Sequence, residues 1–250
     1  MDKAAAFAAL HRPGAPIILY NAWDAGSAQA IARGGAAAIA TGSWSVGAAQ
    51  GYGDAEGVPL DAVLANAERI VRSVSLPVTI DFEGGYAAAP ERVRDNFARL
   101  AATGAIGANF EDQVIGGEGL FPVAEQQARI AAARAGTGSG FFLNARTDIF
   151  LKLPAEAHDG GRVSEALDRA HAYAEAGASG LFVPGLLKLD LLERLCAKAP
   201  LPVNVMAVPG GPGRAALAGV GVARISHGPF PYRALIKQLE EAARAVFDSR

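Results

Sequence analysis

The sequence has a single cysteine among its 250 residues, so an internal disulfide is impossible. Folds whose stability depends on internal disulfides are thereby excluded. The composition fits a reducing cytoplasm, which is where we expect the protein to reside. Cys196 lies within a helical pattern and is expected to pack rather than to react.

Long apolar runs and basic clusters are also missing. No run approaches the roughly 20 apolar residues of a membrane-spanning helix, and the first residues lack a signal-peptide pattern. The 23 Lys and Arg residues stand against 25 Asp and Glu residues, a net charge of −2, and they form no basic stripe. We therefore expect neither a membrane nor a nucleic-acid partner, since nucleic-acid binding needs clustered cations.

Apolar runs are instead short and regularly spaced. With 51% hydrophobic residues the chain can bury one large core. Runs at residues 17–21, 37–41, 78–81, 107–111, 142–146, 180–183, 203–206 and 223–226 alternate with helical patterns. This alternation is typical of parallel strands joined by helices. We predict an α/β fold: one (β/α)8 TIM barrel over residues 1–250, with a short N-terminal helix.

The helical patterns have recognisable ends. Helices are predicted at residues 2–10, 25–33, 60–74, 90–104, 123–135, 164–177, 187–198, 212–219 and 231–247. Pro90 suits a first turn, Ser164 an N-cap and Gly177 a C-terminal end. Residues 44–58 and 113–120 are rich in glycine and are predicted to be lid loops. An open doubly wound sheet is the alternative fold, but its Gly-x-Gly-x-x-Gly turn is missing after the first strand.

Carboxylates end two neighbouring strands. Asp81 and Glu83 are two residues apart, so in an extended chain they would share one face. Glu111 and Asp112 end the next strand. Because the carboxyl ends of barrel strands form one mouth, these acids are expected to line one divalent-metal site. Solvated loop acids or helix caps are the alternative interpretation.

Six segments, in this order, resemble the isocitrate lyase/phosphoenolpyruvate mutase superfamily: residues 20–24, 41–43, 51–54, 81–86, 109–112 and 144–148. The resemblance covers nearly the whole chain. It implies a (β/α)8 barrel that binds Mg²⁺ or Mn²⁺ and acts on a C–C or P–C bond next to a carboxylate. The implied ligands are small 2-oxo or 2-hydroxy acids such as oxaloacetate, 2-oxoglutarate, pyruvate or methylisocitrate. A homo-oligomer, dimer or tetramer, is also implied.

Roles are expected for individual residues, and the resemblance itself carries those of Asp54, Ser43, Arg146, Asp81, Glu83 and Glu111. The expected metal ligands, in part through bound water, are Asp81, Glu83 and Glu111. The expected substrate-binding residues are Tyr20, Ser43, Trp44, Asp81, Arg146 and Asn204. The expected catalytic residues are Asp54, Arg146 and Glu118. Arg146 suits this role because an arginine can pair with a carboxylate through two hydrogen bonds. The alternative for Arg146 is a structural salt bridge with Asp148 or a neighbouring acid.

The loop of residues 113–120 departs from the superfamily pattern. The C–C lyases carry a Lys-x-Cys-Gly-His-type loop here, whose cysteine is the acid/base, and the phosphonate-handling members carry Lys and Asn. This chain has none of these residues in the loop. Glu118, Tyr20 and His227 remain as candidate proton donors.

The main expectation is a metal-dependent lyase that cleaves a C–C or P–C bond in a small 2-oxo or 2-hydroxy dicarboxylic acid through an enolate. Two alternatives stay open. One is a phosphate-binding aldolase or isomerase that uses the glycine-rich residues 209–213, although two prolines there remove backbone donors. The other is a non-catalytic barrel that kept the 2-oxo-acid site and lost the acid/base of the lid.

Overall fold

The computed structural model describes residues 2–248. Within them, nine parallel strands form a nearly closed barrel with helices between them, which confirms the predicted α/β barrel. The strands are β1 (Ile17–Leu19), β2 (Asn21–Ala22), β3 (Ile39–Thr41), β4 (Val78–Asp81), β5 (Gly107–Glu111), β6 (Phe142–Arg146), β7 (Gly180–Phe182), β8 (Val203–Met206) and β9 (Arg224–Ser226). The first predicted strand is split at Tyr20: β1 pairs with β9 and β2 with β3, so the two parts together close the ring.

The helices cover the outside of the barrel. They are α1 (Lys3–Ala9), α2 (Ala25–Arg33), α3 (Ser43–Gln50), α4 (Leu60–Ser73), α5 (Pro90–Ala102), α6 (Val123–Thr137), α7 (Gly160–Glu175), α8 (Leu189–Lys198), α9 (Arg214–Gly219) and α10 (Phe230–Asp248). A 3₁₀ turn spans Ala155–Ala157. None of the helices in residues 2–248 is long and apolar enough to cross a membrane.

Two helix predictions were wrong. Residues 44–50, predicted as part of a loop, belong to α3 (Ser43–Gln50), which ends at Gly51 with φ of +79°. Their glycine and serine content conceals the helix, although Ser45, Val46 and Gly47 are buried. The N-cap of α7 is Asp159 rather than Ser164; its side chain accepts a hydrogen bond from the N–H of Arg162. Two glycines, which are poor helix formers, conceal this earlier start.

The N-terminal end of the barrel is closed by α1. Phe7 packs with Phe142 and with the inward-facing Ile17, Leu19, Ala38 and Ala40. His11 stacks on Phe142 at 4.0 Å. Burial lowers the pKa of His11 to about 3, and the charge of Arg224 acts in the same direction. A neutral histidine and an apolar cluster thus seal this end, which leaves the C-terminal end open.

The last helix packs little against the barrel. Pro231 is the one buried residue of α10 within the described chain, and Leu235, Leu239 and Phe247 are 49%, 63% and 70% exposed. A groove of about 1140 Å³ lies between α10, α2 and β1. Its walls include Ile17, Ile31 and Leu235.

Candidate active site

A cavity of about 250 Å³ lies at the C-terminal ends of the strands. Seven of the predicted site residues line it: Ser43, Trp44, Asp54, Asp81, Glu83, Glu111 and Arg146. Further lining residues are Asn21, Asn109, Gln113, Leu151, Phe182, Pro184, Met206, Ser226 and Pro229. Chemistry in barrel folds takes place at this end, so we treat the cavity as the candidate active site.

Asp81, the last residue of β4, is held on both carboxylate oxygens. Its Oδ2 accepts hydrogen bonds from the backbone N–H of Ser43 at 3.0 Å and from the Ser43 hydroxyl at 2.8 Å. Its Oδ1 accepts one from the Asn109 amide at 3.2 Å. These contacts fix the carboxylate at the cavity wall between the N-terminus of α3 and strand β5.

A buried polar chain inside the barrel orients Asn109. The Oδ1 atom of Asn109 accepts hydrogen bonds from Asn144 Nδ2 at 2.9 Å and from Arg224 Nη2 at 3.1 Å. Since Oδ1 is occupied by two donors, the amide nitrogen must face Asp81. Arg224 is 1% exposed, and burial lowers its pKa to about 9 while the charge of Asp81 acts in the opposite direction. The support of Asp81 therefore extends to the centre of the barrel.

Glu83 reaches the cavity through a strained turn. Strand β4 ends at Asp81, and Glu83 has φ of +48°. Among residues 2–248 the other non-glycine residues with positive φ are Ala55, Glu56 and Tyr86, all at +58°. Such conformations cost on the order of 1–3 kcal/mol each and cluster at functional sites. Glu83 and Tyr86 belong to the turn after β4, and Ala55 and Glu56 belong to the loop after α3.

The same two segments are linked by hydrogen bonds through their acids. Glu83 Oε1 accepts from the N–H of Glu56 at 2.9 Å, and Glu83 Oε2 accepts from the Tyr86 hydroxyl at 3.0 Å. In return, Glu56 Oε1 accepts from the N–H of Tyr86 at 2.7 Å. Burial nevertheless raises the pKa of Glu83 to about 7, and the charges of Asp81 and Asp54 add to the rise.

Arg146 is the cation of the site, and two acids share it. Its Nη1 lies 2.8 Å from Glu111 Oε2, and its Nε and Nη2 donate to the two oxygens of Asp148 at 2.6 and 2.8 Å. Burial raises the pKa of Glu111, and Arg146 only partly offsets this, since the charges of Asp148, Asp81 and Glu83 reinforce the rise. Burial alone would lower the pKa of Arg146, but Glu111 and Asp148 raise it.

The donor set of the cavity suits Mg²⁺, although the predicted ligands do not converge on one point. No three His, Cys, Asp or Glu side chains of residues 2–248 lie close enough together to hold an ion directly. Mg²⁺ usually keeps several waters and binds one or two carboxylates. Asp81, Glu83 and Glu111 supply only oxygen, line the same cavity and carry more negative charge than Arg146 can balance. This chemistry fits a hydrated dication.

Four predicted positions do not reach the cavity. Tyr20 faces away because strand residues alternate and its neighbour Asn21 points inward. Asn204 is 1% exposed in the barrel interior, two residues below Met206 on β8, and its amide bonds Ser226 and backbone carbonyls. Asp112 is fully buried on the other side of β5, where it accepts hydrogen bonds from Arg169 and Tyr173.

Glu118 is the fourth predicted position that does not reach the cavity. Residues 113–120 fold into a small hairpin, with Gln113 and Leu120 bridged in antiparallel fashion and Glu118 exposed near its tip. His227 does not line the cavity either: its ring lies 5.2 Å from that of Tyr20 at a tilt of 55°, and burial lowers its pKa. Cys196 packs on the core, and burial raises its pKa to about 11, in keeping with the predicted packing role.

Sequence reasoning missed several lining residues. Asn109 precedes Glu111 by two residues, so strand alternation places both inside the barrel and offered a usable signal. The same alternation applies to Phe182 and Met206, the inward residues at the ends of β7 and β8. Gln113 and Leu151 lie in loops, for which no periodic pattern exists.

Comparison with known proteins identifies the family to which the chain belongs. A family model described as phosphoenolpyruvate phosphomutase matches residues 7–247. The chain belongs to this family. The structure of a proposed phosphonomutase from Burkholderia cenocepacia superposes with a TM-score of 0.95 and is 49% identical; the match covers 97% of this chain and 98% of that one.

Two curated relatives extend the comparison. An uncharacterized protein of Mycobacterium tuberculosis is 36% identical over 240 residues, which are 96% of this chain and 88% of that protein. The 2-methylisocitrate lyase of Salmonella typhimurium is 32% identical over 152 residues, 58% of this chain and 49% of that enzyme. The resemblance to the isocitrate lyase/phosphoenolpyruvate mutase superfamily is confirmed, and these relationships support an enzyme that acts on a small acid.

Proposed function

We propose that this family member is a Mg²⁺-dependent lyase that breaks a carbon–carbon bond next to the 2-oxo or 2-hydroxy carboxylate of a small acid. The observation that carries the proposal is the acid-rich cavity, in which Asp54, Asp81, Glu83 and Glu111 face a single arginine. Mn²⁺ would serve as an alternative ion, because it accepts the same oxygen donors.

Asp81, Glu83 and Glu111 would hold the ion, in part through water. When bound, Mg²⁺ supplies a Lewis acid for the negative charge that develops on the substrate oxygens. Asp54, which lines the cavity from the loop after α3, is proposed to contact the waters of the ion.

The substrate carboxylate would bind at the N-terminus of α3. This helix begins at Ser43, whose N–H and hydroxyl already donate to Asp81. Its N-cap Gly42 provides no side-chain cap, so the substrate carboxylate would meet the next N–H groups of the first turn. Trp44, on the same turn, lines the cavity. Arg146 would balance the charge of the enolate, for which Asp148 holds its guanidinium plane in place.

We assign to Glu118 the role of donating a proton to the enolate. It is the ionisable group of the 113–120 hairpin, and Gly116 and Gly119 have φ of +72° and +75°. Movement at these glycines would bring the hairpin over the cavity, as lid loops do in other enzymes.

Product release tests the proposal. The protein is incubated with Mg²⁺ and oxaloacetate, methylisocitrate, phosphonopyruvate or 4-hydroxy-2-oxopentanoate, and the pyruvate released is measured with lactate dehydrogenase. We expect release from at least one carbon–carbon substrate, its loss with EDTA and its loss in Asp81→Ala. Asp95→Ala, which removes an exposed acid on α5, is the matched control. Turnover by Asp81→Ala without metal would refute the assignment.

One observation favours a second function. The hairpin lacks the cysteine, lysine and histidine that its superfamily relatives are expected to carry. A barrel that binds a 2-oxo acid without converting it would show Mg²⁺-dependent binding and no product after long incubation.

A homo-oligomer is also proposed, a dimer or a tetramer. Leu235, Leu239 and Phe247 are exposed apolar residues of α10, and Leu235 lines a groove whose other walls include Ile17 and Ile31. Contact with a second copy would remove this surface from water.

A further inference from the structure

The candidate cavity has two chemically different halves. The half formed around β3–β5 carries the acids Asp54, Asp81, Glu83 and Glu111. Besides Ser226 at the end of β9, the half formed by β7, β8 and the loops after β6, β7 and β9 is lined by apolar side chains, namely Leu151, Phe182, Pro184, Met206 and Pro229. We call these five residues the apolar wall. A substrate that fills the cavity must place one end against each half.

The apolar wall is built into the fold. Phe182 is 5% exposed. Met206 packs so closely on Gly228 that a Cβ at this glycine would lie 2.5 Å from the methionine sulfur. A Cβ at Gly185 would likewise lie 2.9 Å from the backbone nitrogen of Leu151. Gly228 and Gly185 thus leave room for Met206 and for the backbone of Leu151, and Phe182 is buried, whereas the Leu151 side chain remains 45% exposed.

Among the described residues that line the cavity, no lysine or arginine is free to pair with a second anionic group of the substrate. Arg146 is the one lysine or arginine among the described residues that line it, and it already contacts Glu111 and Asp148. Lys188 donates to the carbonyl of His158 at 2.8 Å, and Arg233, which does not line the cavity, lies over the Trp44 ring at 4.3 Å. The hairpin of residues 113–120 has no Lys, Arg or His.

A second carboxylate or a phosphonate on the substrate would therefore lie against apolar side chains or against acids. Removing an anion from water without a partner is costly, whereas an alkyl group on the same wall gains by leaving water. The bound ion offsets charge on the acidic half, where the 2-oxo carboxylate lies.

We infer that the substrate carries one carboxylate, at its 2-oxo or 2-hydroxy end, and that its far end is a short uncharged alkyl group seated on the apolar wall. This inference rests on the proposed function. It departs from the dicarboxylic acid that the sequence resemblance implies, and from a phosphonate.

Two ligands of equal chain length test it. The terminal group is a methyl in 2-oxovalerate and a carboxylate in 2-oxoglutarate. Each is titrated into the protein with saturating Mg²⁺ by isothermal calorimetry. We expect a Kd for 2-oxovalerate at least about 10-fold lower than that for 2-oxoglutarate. Leu151→Lys places a cation on the wall at a residue that is 45% exposed, and it should narrow or reverse the preference.

The matched control is Leu189→Lys, a similarly exposed leucine at the start of α8 that does not line the cavity. It should bind both ligands as the unmodified protein does. Equal or tighter binding of 2-oxoglutarate by the unmodified protein overturns the inference and leaves the proposed function standing. A preference that Leu151→Lys does not change overturns the assignment to the wall. Failure of both ligands to bind with Mg²⁺ overturns the inference and the proposed function together.

Discussion

Glu83 provides the clearest test of the claim that the cavity holds more carboxylates than Arg146 can balance. It is 6% exposed, and its pKa is about 7 in the folded protein against an ordinary value of 4.5. Replacement by glutamine keeps the shape of the side chain and removes the charge. The metal-free protein with Glu83→Gln should therefore lose less stability than the unmodified protein as the pH rises.

The size of the expected stability difference follows from the difference between the pKa values of Glu83 in the folded and unfolded protein. A pKa that is higher in the folded state means that the folded protein binds the proton more tightly than the unfolded chain does. The resulting stabilisation is fully present below about pH 4.5, and it is lost as the pH rises through about 7. Each pKa unit corresponds to about 1.4 kcal/mol, so Glu83 accounts for about 3 kcal/mol in total. Roughly 2 kcal/mol of this falls between about pH 5 and pH 7.5.

Urea unfolding in EDTA at these two pH values measures the effect. The decrease in unfolding free energy should be smaller in Glu83→Gln by about 2 kcal/mol, and Glu91→Gln, a first-turn acid on α5, should behave as the unmodified protein does. Acids that do not interact with Glu83 contribute equally to all three proteins and cancel in the comparison. Glu111, whose pKa the charge of Glu83 raises, changes the result in the same direction, because its pKa falls when that charge is removed. An identical pH dependence in Glu83→Gln and the unmodified protein would refute the reasoning.

Three further predictions concern the cation, the hairpin and the last helix. Arg146→Gln leaves the buried Asp148 without its cationic partner, and it should lower the unfolding free energy by about 3–5 kcal/mol in urea; an unchanged value would mean that Asp148 has another partner. Glu118→Gln should lower turnover about 100-fold while the Kd of a bound 2-oxo acid stays within about twofold; equal turnover would remove Glu118 from the mechanism. Leu239→Asp, at a residue 63% exposed on α10, should reduce the mass measured by light scattering; if this helix takes no part in assembly, the mass will not change.

The barrel and most of the site were predictable from the chain because parallel strands bring their carboxyl ends together. Asp81, Glu111 and Arg146 end three neighbouring strands, and β4–β6 pair in register, so their side chains had to meet. Tyr20 could have been excluded by the same alternation that places Asn21 inside.

The remainder depends on contacts that a sequence does not display. Glu83 lines the cavity because of a left-handed turn, not because it shares a strand face with Asp81, which is where the sequence argument placed it. Its partner Glu56 lies 27 residues earlier in the chain. Arg224 supports Asp81 through Asn109 across 115 residues of sequence. The packing of the barrel brings such distant residues together, and local sequence patterns do not predict these contacts.

The central claim is that Asp81, Glu83 and Glu111 together hold one divalent ion. Electron paramagnetic resonance of added Mn²⁺ tests it directly, since free and bound Mn²⁺ give different signals. We predict one bound ion per chain, competition by Mg²⁺, and weaker binding in Asp81→Asn, Glu83→Gln and Glu111→Gln, with Asp95→Asn unaffected. A chain that leaves all added Mn²⁺ free, or acid variants that bind it as well as the unmodified protein does, would contradict the claim.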